Sequence, residues 1–143
     1  MKKVIIISVV VILILVSVGL YFYNQKTELA ISEPPAYTLE SNNFLKEYAE
    51  NKDASDTKYL NKTIQVSGEI KAITEISNGL NVELKAGQEM ETVTCSIDSS
   101  QLEKAQQLVV GSKATLKGRC GGYLYEEMLG MKNIGLVQCS IIK

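Results

Sequence analysis

With no histidine anywhere in the chain, the residue most often used as a general base and as a metal ligand is missing. That excludes Ser/His/Asp triads, Cys/His pairs and most zinc sites together. Chemistry would have to rest on carboxylates, lysines or the three cysteines, Cys95, Cys120 and Cys139. The cysteines have no close-paired spacing and no histidine to complete a tetrahedron, so they do not read as a metal site. Without a Cys-x-x-Cys pair they carry no redox motif. In an exported domain they allow one disulfide and leave one thiol over, and strand alternation lets Cys95 meet Cys139. The alternative is three small buried hydrophobes, the usual state of free cysteine.

The densest polar and aromatic cluster is "YLYEE", in which Tyr123 and Tyr125 stand beside Glu126 and Glu127. Paired carboxylates can do acid/base work or bind a cation. Adjacent carboxylates in a strand, however, point to opposite faces, and in a loop they are usually just solvated. No nucleophile and base can be paired, so the chain reads as a non-enzyme with no cofactor. The preceding "GRCGG" lacks the helix start that phosphate cradling by glycines requires, and reads as the exit from a strand. Tyr123, Tyr125, Glu126 and Glu127, with Asn78 on an earlier turn, are therefore the candidate ligand contacts.

The elements that must position these residues follow from periodicity. Ser41 to Asn51 reads as a helix, with continuation through Asp56 as the alternative; Leu45, Tyr48 and Ala49 stand at helical spacing and Thr38 or Ser41 is the N-cap. From Lys62 the period becomes two: Ile64, Val66, Gly68, Ile70 and Ala72 alternate with polar residues. Gly68 in mid-strand marks a bend or bulge. Ser77 to Gly79 is a hairpin turn, followed by Leu80, Val82 and Leu84, then by Val93, Cys95 and Ile97. Ser100 and Glu103 form a capping box for a short helix that Gly111 ends. Ala114, Leu116, Gly118 and Cys120 make strand four, and Val137, Cys139 and Ile141 strand five. Strand, strand, strand, helix, strand, strand, with a bent first strand, is the layout of an OB-fold, a five-stranded Greek-key barrel. The expected class is all-β with accessory helices.

Val4 to Tyr23 is free of charged side chains over twenty residues, the ~20 residues a helix needs to cross hydrocarbon. Lys2 and Lys3 precede it and orient the N-terminus to the cytoplasm. The segment reads as an uncleaved anchor, with a signal cut after Gly19 as the alternative. The first cysteine is Cys95, which excludes lipid modification near the segment. The expectation is a single-pass protein of the cell membrane: anchor over 1–23, linker over 24–37 ending in "SEPPA", and an extracytoplasmic domain over 38–143. Its partners would be the membrane, through that helix, and an envelope protein or small ligand. After Tyr23 all sixteen acidic but only thirteen of fifteen basic residues remain, a net charge of −3. An acidic domain disfavours grip on a phosphate backbone.

"KYLNKTIQVSGEI", "VTCSI", "LKGRCGGYL" and "LVQCSII" together resemble the tRNA-anticodon-binding-like OB-fold domains of bacterial exported proteins. The resemblance covers about Thr38 to the C-terminus. It implies an OB barrel with an undefined biochemical role and no catalytic residues. Nucleic-acid binding is implied by fold analogy only. The outward residues of strands two and three, Asn81, Glu83, Lys85, Thr92, Thr94 and Ser96, include no aromatic, although base stacking contributes ~1–3 kcal/mol per base in such sites. The leading expectation is thus a membrane-anchored binding or interaction module, and the alternative a single-stranded nucleic-acid or tRNA binder.

Overall fold

The computed structural model describes residues 10–21 and 32–143. Six strands form one sheet: β1 (Tyr37–Glu40), β2 (Thr63–Ile76), β3 (Gly79–Lys85), β4 (Glu91–Asp98), β5 (Lys113–Glu126) and β6 (Met131–Ile141). Two helices, α1 (Ser41–Glu50) and α2 (Lys52–Tyr59), precede β2, and a 3₁₀ turn leads into α3 (Leu102–Ala105) between β4 and β5. The neighbour order is β1-β2-β3-β4-β6-β5, and β2 also pairs with β5, which closes the barrel. β4 and β6 run parallel, as the third and fifth strands of an OB barrel do.

β2 closes the barrel because it changes partner along its length. Thr63 to Glu69 pair with β5, and Ile70 to Ile76 pair with β3 across a register shift between Ile70 and Ala72. The change comes just after Gly68, which still pairs with Ala114 of β5. A Cβ on Gly68 would stand 2.5 Å from the Ser41 Oγ, so glycine also makes room for the helix start. The Ser41 hydroxyl donates to the Lys85 carbonyl through that gap.

The interior is filled by the alternating residues the period-two pattern selects. Ile64, Val66, Ile70, Val82, Leu84, Val93, Leu116 and Ile134 are all inaccessible to solvent. At one end α1 and α2 contribute Phe44, Leu45, Tyr48 and Tyr59 to the same core. Their rings meet edge to face, Phe44 with Tyr59 at 5.1 Å and Phe44 with Tyr48 at 5.6 Å, a favoured aromatic geometry.

Several expectations are corrected. The barrel has a sixth strand, because β1 pairs in parallel with Ile64 to Ser67. The first helix stops where Ser41 to Asn51 predicts, and only its continuation through Asp56 is corrected: Asn51 is extended, and its side chain accepts from Ala54 N–H and caps a second helix. Neither Thr38 nor Ser41 is the N-cap of α1; Glu40 holds that position, with no side-chain cap bond. β5 does not end at the glycines but continues to Glu126, and β6 starts at Met131 rather than near Val137. Gly122, at φ 111°, absorbs the register shift between Cys120 and Gly122.

The single-pass cell-membrane placement is also corrected. Among the described residues no helix is long and apolar enough to cross a membrane. Of the Val4 to Tyr23 segment the structure describes residues 10–21, which are helical. The rest of that segment, including Phe22 and Tyr23, lies outside the described residues.

Candidate functional site

β5 and β6 extend beyond the barrel wall as a two-stranded hairpin. Leu124 pairs with Asn133, Tyr125 with Lys132 and Glu126 with Met131. The turn ends on Gly130 at φ 65°, in the left-handed region that glycine tolerates. The β6 side is held to the barrel, because Lys132 N–H donates to the Met90 carbonyl at 3.0 Å and its ammonium lies 2.7 Å from Glu91. The hydrogen bond from Lys132 holds the Glu91 carboxyl below the usual range, helped by the main-chain N–H of Gln88. Among the described residues the β5 side has no strand beyond it, since β2 pairs with β5 only as far as Arg119.

The apolar residues of this hairpin face water. Met128 is 94% exposed, Leu124 66%, Leu129 58% and Tyr125 51%, with Met90 at 52% beside the hairpin's base. Large exposed side chains in one place are the feature that distinguishes an interaction surface from scattered surface hydrophobes. The cue in the sequence was "MLGM", apolar residues in a glycine-ended turn where solvated residues are the rule.

The candidate residues separate into three environments. Tyr123 is half-buried and stacks on Tyr48, ring centroids 5.6 Å apart and planes 13° from parallel; burial pushes its hydroxyl pKa up. It belongs to the aromatic plug that Phe44, Tyr48 and Tyr59 form at one end of the barrel. Tyr125, Glu126 and Glu127 are exposed on the hairpin, and neither glutamate forms an ion pair among the described residues. Asn78 is exposed in the β2–β3 turn, beside a cleft of about 270 Å³ that Ser96, Asp98 and Gln138 also line. Gly79 pairs with Asp98 at one end of β4, and Lys132 with Glu91 at the other. Asn78 and the hairpin therefore bracket β4, ~23 Å apart at ~3.3 Å per residue.

Between them lies the outward face of β3 and β4. Ser96 donates to Asn81 at 2.8 Å and Thr94 to Asn133 at 3.0 Å, and Glu83 stands opposite Thr94. Its polar groups are largely paired with each other, and among the described residues no aromatic ring stands on it.

The three cysteines are free and buried. Cys95 and Cys139 lie against each other, and that contact, with burial, pushes the Cys95 thiol well up. Cys120 is raised by burial and touches the Tyr48 hydroxyl at 3.5 Å. No cluster of three or more metal-ligating side chains occurs among the described residues.

Comparison with known proteins agrees with this barrel. A solved lipoprotein from Klebsiella pneumoniae subsp. pneumoniae, for which nucleic-acid binding is proposed, superposes with a TM-score of 0.56 at 21% identity. It covers 74% of this chain and 91% of its own. Weaker matches include an Entamoeba histolytica asparaginyl-tRNA synthetase, TM-score 0.42, 20% identity, over 57% of this chain and 21% of the enzyme. Another is the OBody AM3L09 bound to hen egg-white lysozyme, TM-score 0.45, 12% identity, over 60% of this chain and 86% of that one. No curated protein matches the sequence. The tRNA_anti-like family model matches residues 1–134, which takes in the anticodon-binding-like segments from "KYLNKTIQVSGEI" to "LKGRCGGYL" and the whole of the projecting hairpin. The chain belongs to the tRNA_anti-like family.

Proposed function

We propose that the protein is a non-catalytic OB-type binding module that docks a protein partner through the tip of the β5–β6 hairpin. The family is one of binding domains rather than catalytic ones, so the open question is the ligand. One observation carries the reading: Leu124, Tyr125, Met128 and Leu129 stand in water on a hairpin that the barrel does not need for closure. Flexible methionine and leucine side chains suit an adaptable apolar contact with another protein. Glu126 and Glu127 are exposed at the tip, which favours a partner whose rim is basic.

A second reading, binding of single-stranded nucleic acid or tRNA, draws support from the nucleic-acid binding proposed for the similar Klebsiella protein. Against it stand the glutamates at the tip and the absence of a stacking residue on the β3–β4 face, since stacking supplies ~1–3 kcal/mol per base. Photo-crosslinking from position 128, alongside anisotropy with labelled single-stranded DNA, separates the two. The protein reading expects a discrete protein adduct and no salt-sensitive DNA binding.

A further inference from the structure

Arg119 is the only arginine in the chain, and it does not stand on the surface like most of the lysines. It is half-buried on the outward side of β5, and its Nε is enclosed with no hydrogen-bond partner among the described residues. Strand register sets four polar residues around it. Thr63 on β2 is directly opposite Arg119, Gln65 is opposite Lys117, and Ser140 on β6 is opposite Lys117 on the other side. All point away from the core, because their neighbours Ile64, Leu116, Cys120 and Cys139 fill it.

Outward side chains on a barrel normally meet water, yet Thr63 is 4% exposed, Ser140 5% and Lys117 8%. The chain ahead of β1 lies over them. Ala36 N–H donates to the Thr63 carbonyl at 2.8 Å, Lys117 Nζ donates to the Glu33 carbonyl at 3.0 Å, and the Thr63 hydroxyl donates to the Glu33 carboxylate at 3.0 Å. A buried hydroxyl, Ser140 Oγ, faces the same row without a partner among the described residues. Leaving enclosed polar groups unpaired costs free energy, so a native surface with two of them beside two cations is poorly explained as packing alone.

We propose that Arg119, Lys117, Thr63 and Ser140 form a binding site for an oxyanion, a carboxylate or phosphoryl group, on the outward face of β2, β5 and β6, and that the Glu33 carboxylate is its internal occupant. A planar guanidinium matches two oxygens of one acid group, and an adjacent ammonium adds charge without demanding geometry. Hydroxyls complete the shell by donating to the remaining oxygen lone pairs. Glu33 takes part of this shell through Thr63, and an external anion that displaced it would reach the two unpaired donors as well. The site is independent of the hairpin, which lies beyond the stretch of β5 that β2 covers.

The lone arginine gives the test an unambiguous signal, a single side-chain Nε–Hε resonance. The full chain is titrated with inorganic phosphate and, separately, with acetate, in wild type and in Glu33→Ala. A saturable shift of the Arg119 resonance is expected, with half-saturation about tenfold lower in Glu33→Ala than in wild type. Whichever anion saturates at lower concentration identifies the phosphoryl or the carboxylate as the preferred group. Thr63→Val, nearly isosteric, and Lys117→Gln, each in the Glu33→Ala background, should raise half-saturation about tenfold. A Glu33→Ala chain with no saturable shift would overturn the site. Equal half-saturation with and without the Glu33 carboxylate would overturn its role as occupant.

Discussion

Gly118 on β5 and Cys139 on β6 share one space in the barrel wall: a Cβ on the glycine would fall well inside van der Waals contact with the cysteine sulfur. Alanine at 118 must therefore push the thiol or the strand. Gly118→Ala should cost about 1–3 kcal/mol in urea unfolding. Cys139→Ala removes the sulfur, so the double variant should be more stable than the sum of the singles predicts. The recovery will be partial, because the Val137 carbonyl would also stand 3.1 Å from the new Cβ. A neutral Gly118→Ala, or strictly additive singles, contradicts the shared space.

The two tyrosines of "YLYEE" should behave oppositely. Tyr123→Ala removes a ring stacked on Tyr48 and should destabilise the fold by about 1–3 kcal/mol. Tyr125→Ala removes a side chain already half in water and should stay within about 0.5 kcal/mol of wild type. Thermal unfolding of the two variants decides it, and equal losses would show that Tyr123 is not part of the plug.

All three thiols should be slow toward alkylation while the protein is folded, since each is fully buried and the Cys95 and Cys120 thiols are pushed up from their ordinary value. Thiolate is the reactive form. Alkylation in denaturant without reductant, followed by mass measurement, should add three groups. One added group would mean that Cys95 and Cys139, already in contact, are joined as a disulfide.

Acid should weaken the fold partly through Glu91. Its carboxyl is held below the ordinary 4.5 by Lys132, so its contribution is complete above about pH 4.5. That contribution is lost as the pH falls through the lower folded-state value. Glu91→Gln should be less stable than wild type at neutral pH, and the gap should narrow as the medium is acidified. Glu47 and Asp98 are depressed as well, by Lys58 and by the Ser100 main-chain N–H, so the variant keeps some acid sensitivity. A gap independent of pH contradicts the assignment.

The barrel was legible because its core strands carry a strict alternation and because Gly68, breaking that alternation, lies just before β2 changes partner. β1 was not legible: Tyr37–Glu40 is four residues long, and its strand character comes from pairing with Ile64 to Ser67, not from its own pattern. The helix end at Asn51 was legible, but the second helix after it was not, because it rests on the Asn51 side chain capping Ala54. At the candidate site, the tyrosines and glutamates stood out by type. Whether Tyr123 turned inward depended on α1 offering Tyr48, a contact between residues 75 apart in the chain. The exposed Leu124, Met128 and Leu129 were passed over because apolar residues are expected in cores.

The central claim is tested most directly by a photoreactive amino acid placed at position 128 of the full-length protein in its native cells, with position 104 on α3 as control. Docking through the hairpin predicts one discrete protein adduct from position 128, none from 104, and loss of the adduct when Leu124 and Leu129 are both changed to Asp. No adduct at 128, an adduct that survives the double change, or an adduct to nucleic acid would contradict it.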